Sequence, residues 1–283
     1  MNKQSLLPQT INAAVFCYKD QWAHLICSCL TPFLKEKKVK NYCLYFFEEQ
    51  GDQVRVIIDD CSPGSEFKKA FSCHVDRYLN TNSFVAREIK YPLAYFFEDF
   101  DNNTIYYDLF RGYARETNLI DAIVLAKLKS EVTRLIVSHL SLSTIDEESI
   151  FTFAMYLQLA IVRAFCADIH KARVLLKGII NNLNNNIPQQ LQVNIEIHAN
   201  AAIKENLEEL IATTGELWPV VRILWLEKWI KLCDGLKQEG NEQQLFLHVS
   251  SQIFEQLGLR EPNVLTLSIY MLYNLVINNN YKP

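Results

Sequence analysis

Three placements of cysteine and histidine have the residue types for metal ligation: Cys27-x-Cys29, Cys73-His74 and Cys166-x3-His170. A closed zinc site takes four ligands, usually as two spaced pairs. None of these pairs has a matching second half at such a spacing, so no metal is expected. Cys27 and Cys29 also fall in a stretch of helical periodicity, where residues two apart diverge. Cys166 and His170 would share a helical face, but two ligands do not make a site. The chain has no phosphate-binding Walker loop, no G-x-S-x-G elbow and no H-E-x-x-H pair.

Composition narrows the field further. The chain has 283 residues, of which 49% are apolar and 21% charged. Only 8 are glycine, where an average chain of this length carries about 20. That scarcity disfavours folds built on glycine-rich loops and many tight turns, and suits long helices. A net charge of −4 and a pI near 5.9 give no overall attraction for nucleic acid or an anionic membrane, so no direct nucleic-acid binding is expected. No apolar run is read as a membrane span, because Thr152, Gln158 and Arg163 break the stretch around Ile150–Phe165. Pro8, Gln9 and Asn12 interrupt any signal-peptide core after Lys3. The expected location is therefore cytoplasmic, and the eight cysteines read as reduced small hydrophobes.

Ile11–Tyr18 predicts a short strand, and Asp20–Lys38 a helix with Asp20 as N-cap and Lys35, Lys37 and Lys38 at its C-terminal end. Asn41–Glu49, the turn Gln50-Gly51-Asp52 and Gln53–Asp60 predict a β-hairpin. In its second arm Val54, Val56 and Ile58 point one way, and Arg55 and Ile57 the other. Ser65–Tyr78 reads as a helix and Phe84–Ile89 as a strand. Beyond Asn103 the pattern is mainly helical. Thr144-x-x-Glu147 resembles a capping box opening a helix over Asp146–Ile169. Lys171–Asn182 is a further helix, followed by an asparagine-rich loop at Asn181–Asn186. Leu191, Val193, Ile195 and Ile197 alternate with polar residues, the period of a half-buried strand, although a helix start has the same composition. Helices are expected over Ala201–Thr213, Glu216–Lys237, Glu242–Leu257 and Asn263–Asn278. With no repeat and no evident linker, residues 1–283 are expected to form one α+β unit: a small, mainly antiparallel sheet near the N-terminus with a predominantly helical remainder.

The order of these features carries a resemblance. Trp22, the helix to Phe33-Leu34, the aromatic strand and the strand Gln53-Val54-Arg55-Val56-Ile57 resemble the start of the C-terminal glutamate-elimination domain of lantibiotic dehydratases. That domain also occurs as standalone thiopeptide-type bacteriocin biosynthesis proteins. Thr144–Glu148, Lys171-Ala172-Arg173, Trp218–Arg222, and His248–Ile253 followed by Gly258 and a final helix extend the resemblance over nearly the whole chain. It implies removal of glutamate from glutamylated Ser or Thr of a precursor peptide, leaving dehydroamino acids. A base must then take a weakly acidic Cα proton while cations stabilise the enolate and the leaving carboxylate. In those roles the resemblance places His248 as acid/base, Arg55 as anion clamp, and Lys90 and Tyr91 as substrate-binding residues. It implies no cofactor. The expected partners are a ribosomally made precursor peptide and a separate glutamylating dehydratase protein.

The departures define the alternatives. The family's strand reads His-Leu-Arg-Leu-Arg, and here its histidine is Gln53 and its second arginine Ile57. Its Asn-Arg after the histidine is Gln252-Ile253, and its Arg-Tyr-Gly-Gly segment is Lys90-Tyr91-Pro92-Leu93. Isoleucine cannot replace a bidentate guanidinium. A binding protein of the same pathway, accepting a peptide on the hairpin edge by β-augmentation, is thus a second reading. A third is a thiopeptide pyridine-forming enzyme, which joins two dehydroalanines in a formal cycloaddition. In the plainest reading Arg55 faces solvent or pairs with Glu48 or Glu49, and His248 is an ordinary helix residue.

Overall fold

A computed structural model describes residues 9–61, 64–82, 100–109, 120–142, 145–185, 187–217, 223–237 and 240–278. The architecture is α+β, with the sheet at the N-terminal side and helices after it. Two compact units make up the chain: Met1–Ile150 with Gln256–Gly258, and Phe151–Glu255 with Leu259–Pro283.

The first unit opens with β1 (Gln9–Phe16). A helical stretch follows: a 3-10 turn at Lys19–Gln21, α1 (Trp22–Leu25), a π turn at Ile26–Leu30 and α2 (Thr31–Glu36). Asp20 is not its cap. The 3-10 turn starts after Tyr18 without a local side-chain cap, and Asp52 of the hairpin turn accepts the Lys19 N–H at 2.9 Å. A cap supplied from 33 residues away leaves no local signature. The hairpin forms as expected from β2 (Tyr42–Phe47) and β3 (Gln53–Cys61), with Gln50 and Gly51 at positive φ in its turn. The helix α3 (Gly64–Thr81), the strand β4 (Thr104–Tyr107), the helix α4 (Ala122–Ser138) and a 3-10 turn at Leu140–Leu142 follow among the described residues. The expected strand at 84–89 lies outside the described residues.

Among the described residues the sheet has order β2-β3-β1-β4, with every pairing antiparallel. Leu44, Phe46, Val54, Val56, Ile58, Ala13 and Val15 share one face and are buried. Trp22 stacks on Phe46 there, with centroids 4.9 Å apart and planes 5° from parallel. Burying this apolar face is what holds the helical stretch to the sheet.

The outer edge of β2 is closed at its centre. The Leu44 N–H donates to the Thr133 hydroxyl of α4 at 3.0 Å. Thr133 in turn donates to the Lys129 carbonyl, and Gln256 donates to both the Thr133 oxygen and that carbonyl. Two residues on, Gly258 lies so near β2 that an added Cβ would stand 2.8 Å from the Phe46 carbonyl oxygen. A peptide adding as a strand here would have to displace these groups.

The second unit is helical among its described residues. The helix α5 (Glu147–Phe165) opens just before the unit boundary. Its N-terminal box is Asp146-x-x-Ser149: Asp146 accepts the Ser149 N–H at 2.7 Å, and Ser149 accepts the Asp146 N–H at 3.0 Å. The expected cap residue Thr144 lies outside the described residues. By length and composition α5 could cross a membrane, contrary to the sequence reading, but 67% of its apolar window is buried inside the protein.

Among the described residues five more helices follow: α6 (Ile169–Asn184), α7 (Gln189–Leu217), α8 (Leu224–Asp234), α9 (Glu242–Gln256) and α10 (Pro262–Asn278). The α6 helix runs on into the asparagine-rich segment, where Asn184 accepts a hydrogen bond from Tyr270 at 2.7 Å. Leu191–His198 is helix, not strand. Alternation of four apolar residues also contains two i, i+4 pairs: Ile195 is buried, whereas Val193 and Ile197 are exposed on α7. The segment expected to run over Glu216–Lys237 forms α7's end and the shorter α8, and residues 218–222 lie outside the description. At the end of α9 Gly258 has φ +77°, and the Leu259 N–H bonds the Phe254 carbonyl at 2.8 Å. This is a Schellman stop, which needs a left-handed residue.

Candidate functional site

Arg55 sits at the centre of the sheet's second face. The register places Tyr45 opposite it on β2 and Ala14 opposite it on β1. Gln53, Ile57, Cys43, Phe47, Asn12, Phe16, Thr104 and Tyr106 share this face through the strand alternation. Arg55 does not face solvent: only 3% of it is exposed. Its guanidinium carbon lies 3.2 Å from the centroid of the Phe47 ring, and its Nε donates to the Gln53 side-chain oxygen at 3.0 Å. Gln53 is fully buried and donates onward to the Glu49 carbonyl at 2.9 Å. Ring stacking and the amide hydrogen bond offset part of the cost of taking the cation out of water.

Around this group the face is aromatic. Tyr45 and Phe47 approach at 6.4 Å between centroids. Further along, Phe16, Phe100 and Tyr106 form a cluster with centroid separations of 4.8 to 5.7 Å. Ile57 packs against Cys43, Tyr45 and Phe47. Among the described residues this face therefore holds a buried cation packed among rings. A guanidinium held in this way can stabilise negative charge on a carbonyl or carboxylate oxygen, but it cannot accept a proton. Gln53, where the elimination family carries histidine, has a neutral amide and is no base.

His248 lies on α9 in the second unit, half-buried between Leu247 and the buried Val249. Arg55 belongs to the first unit. Lys90 and Tyr91 lie outside the described residues. Sequence spacing alone did not assign Phe47 and Gln53 to the arginine, although the hairpin register Phe47↔Gln53 follows from the turn and was the available signal.

Buried cysteines offer little nucleophilic character. Burial pushes the Cys29 thiol up to about 12 and the Cys166 thiol up to about 11, so both stay protonated near neutrality. Burial raises the Cys17 thiol as well. Cys27 is exposed, and its thiol lies 3.3 Å from the Ser141 hydroxyl. Among the described residues no three His, Cys, Asp or Glu side chains are grouped to hold a metal ion.

No family profile and no curated protein matches this chain in sequence. Solved structures do match its fold along nearly its whole length. TbtD, a pyridine synthase from thiomuracin biosynthesis, has a TM-score of 0.68 at 13% identity, over 95% of this chain and 98% of that one. TsrL has a TM-score of 0.56 at 12% identity, over 96% of this chain and 95% of that one. At such identities the likeness is one of fold.

Proposed function

We propose that this chain acts in thiopeptide-type maturation on a ribosomally made precursor peptide, joining two dehydroamino acid residues by a formal cycloaddition. The observation that carries this reading is the fold likeness to TbtD over 95% and 98% of the two chains. The chemistry of the sheet face supports it. A cycloaddition makes two σ bonds from π bonds, and its bond-forming step transfers no proton to a protein base. Its main demand is to hold the two reacting groups in register, a contribution that reaches effective molarities of about 10⁵–10⁸ M in favourable cases. Arg55, held against Phe47 and bonded to the neutral amide of Gln53, suits that demand better than it suits Cα-proton abstraction, for which it supplies no base.

Glutamate elimination is the second reading, favoured by Arg55 on the strand where that family carries arginine. On that reading Arg55 clamps the leaving carboxylate, His248 is the acid/base, and Lys90 and Tyr91 contact the peptide. Incubation with a linear peptide containing two dehydroalanines tests the first reading. Cycloaddition consumes both alkenes, so the product takes up two fewer equivalents of thiol by mass spectrometry. An unchanged thiol count across peptides with different spacings between the two residues would refute it.

A further inference from the structure

A groove in the second unit has no part in the site described above. Its cavity is about 820 Å³, at the upper end of the usual range for ligand sites. One wall is a single face of α6: Lys171, Val174, Leu175 and Asn182, at helical i, i+3, i+4 and i+11 spacing. The other is the start of α9, with Glu242, Gln243 and Leu247. Gly178 lies against the end of the Gln243 side chain, where an added Cβ would come within 2.4 Å of the amide nitrogen. Asn182 donates to Gln243 at 2.8 Å and closes the far end. From Lys171 to Asn182 the helix rises about 16 Å, the span of roughly five extended residues.

Two lysines, Lys171 and Lys237, and one carboxylate, Glu242, stand in the lining of the groove. Asp168 accepts the Lys171 N–H at 2.8 Å, and Glu242 accepts the Gly240 N–H at 3.0 Å, so both carboxylates already hold backbone donors. Lys171 and Lys237 line the groove with exposed side chains, and neither has an ion-pair partner among the described residues. Beside them Val174 is 73% exposed, an apolar contact left open to solvent.

We infer that this groove binds an extended, acidic peptide segment, with carboxylates on Lys171 and Lys237 and an apolar side chain against Val174 and Leu247. The occupant's identity as part of a precursor rests on the peptide-substrate reading above, but the binding itself does not. The side-chain amide of Gln244, also in the lining, supplies a partner for the segment's backbone.

The test is fluorescence anisotropy with the full chain and a labelled synthetic peptide of alternating glutamate and leucine, against glutamine–leucine and lysine–leucine peptides of equal length. The glutamate peptide binds at low salt, and the Lys171→Gln/Lys237→Gln double variant weakens it by about tenfold. Both positions are exposed, so that variant keeps its fold. Arg55→Ala leaves this binding unchanged, which separates failure here from failure of the proposed reaction. A photocrosslinking residue at position 174 captures the glutamate peptide. No binding, equal binding of the glutamine–leucine peptide, equal binding by the double variant, or no crosslink at 174 would each overturn the inference.

Discussion

Replacing Thr133 by valine removes one hydroxyl and keeps the side chain's volume. In the structure Thr133 is 1% exposed, and its oxygen accepts the Leu44 N–H at 3.0 Å. Gln256 loses one acceptor but keeps the Lys129 carbonyl at 3.0 Å. Only the Leu44 amide, in a fully buried residue, is left without its acceptor. An orphaned buried donor costs about 1–3 kcal/mol, so Thr133→Val is expected to destabilise by about 2 kcal/mol. Thr133→Ser keeps the hydroxyl and deletes a methyl group, about 0.8 kcal/mol. For a unit near 150 residues, 2 kcal/mol lowers Tm by roughly 4–8 °C. Thermal unfolding by circular dichroism gives the stabilities, and hydrogen exchange at Leu44 gives the local effect. Protection of that amide falls in Thr133→Val and persists in Thr133→Ser. A valine variant as stable as the parent, with Leu44 still protected, would refute the view that this hydroxyl closes the sheet edge.

Gly258→Ala forces a left-handed alanine, costing about 1 kcal/mol, and puts a Cβ 2.8 Å from the Phe46 carbonyl oxygen. Denaturant unfolding should show a larger loss than for Gly240→Ala, where φ is +85° but nothing lies within 4 Å. Burial holds the thiols of Cys29 and Cys166 at about 12 and about 11, against an ordinary 9.0. The unfolded thiols therefore ionise first and the folded state binds more protons, so stability is unaffected by them below pH 8 and falls as pH rises from 9 toward 11 to 12. Equilibrium unfolding across that range checks it. Arg55→Lys loses the planar stack on Phe47 and the geometry of the Gln53 bond. It is expected to keep the fold while lowering cycloaddition product by about tenfold or more, measured by mass spectrometry.

Much of the fold was legible because its signals are local. The alternation of Val54, Val56 and Ile58 fixed the hairpin's faces, and apolar periodicity placed α9 and α10 within a residue or two of their observed ends. What escaped was set by contacts distant in sequence. Asp52 caps a turn that contains Asp20, and residues 191–198 satisfy both strand and helix patterns until α10 packs against α7. At the site, alternation put Arg55 opposite the valine face, but its burial depends on Phe47 and Gln53 meeting across the hairpin. Periodicity cannot report that. Lys171 and Lys237 were invisible as a pair, since 65 intervening residues must fold before they line one groove.

The central claim is that the chain joins dehydroamino acids and does not create them. One competition measures this directly: the chain is offered, in a single mixture, a glutamylated precursor peptide and the matching linear peptide carrying two dehydroalanines, and both are followed by mass spectrometry with thiol labelling. The second peptide is expected to lose two thiol-reactive alkenes while the first keeps its glutamate. Loss of glutamate from the first peptide, with both alkenes of the second intact, would contradict it.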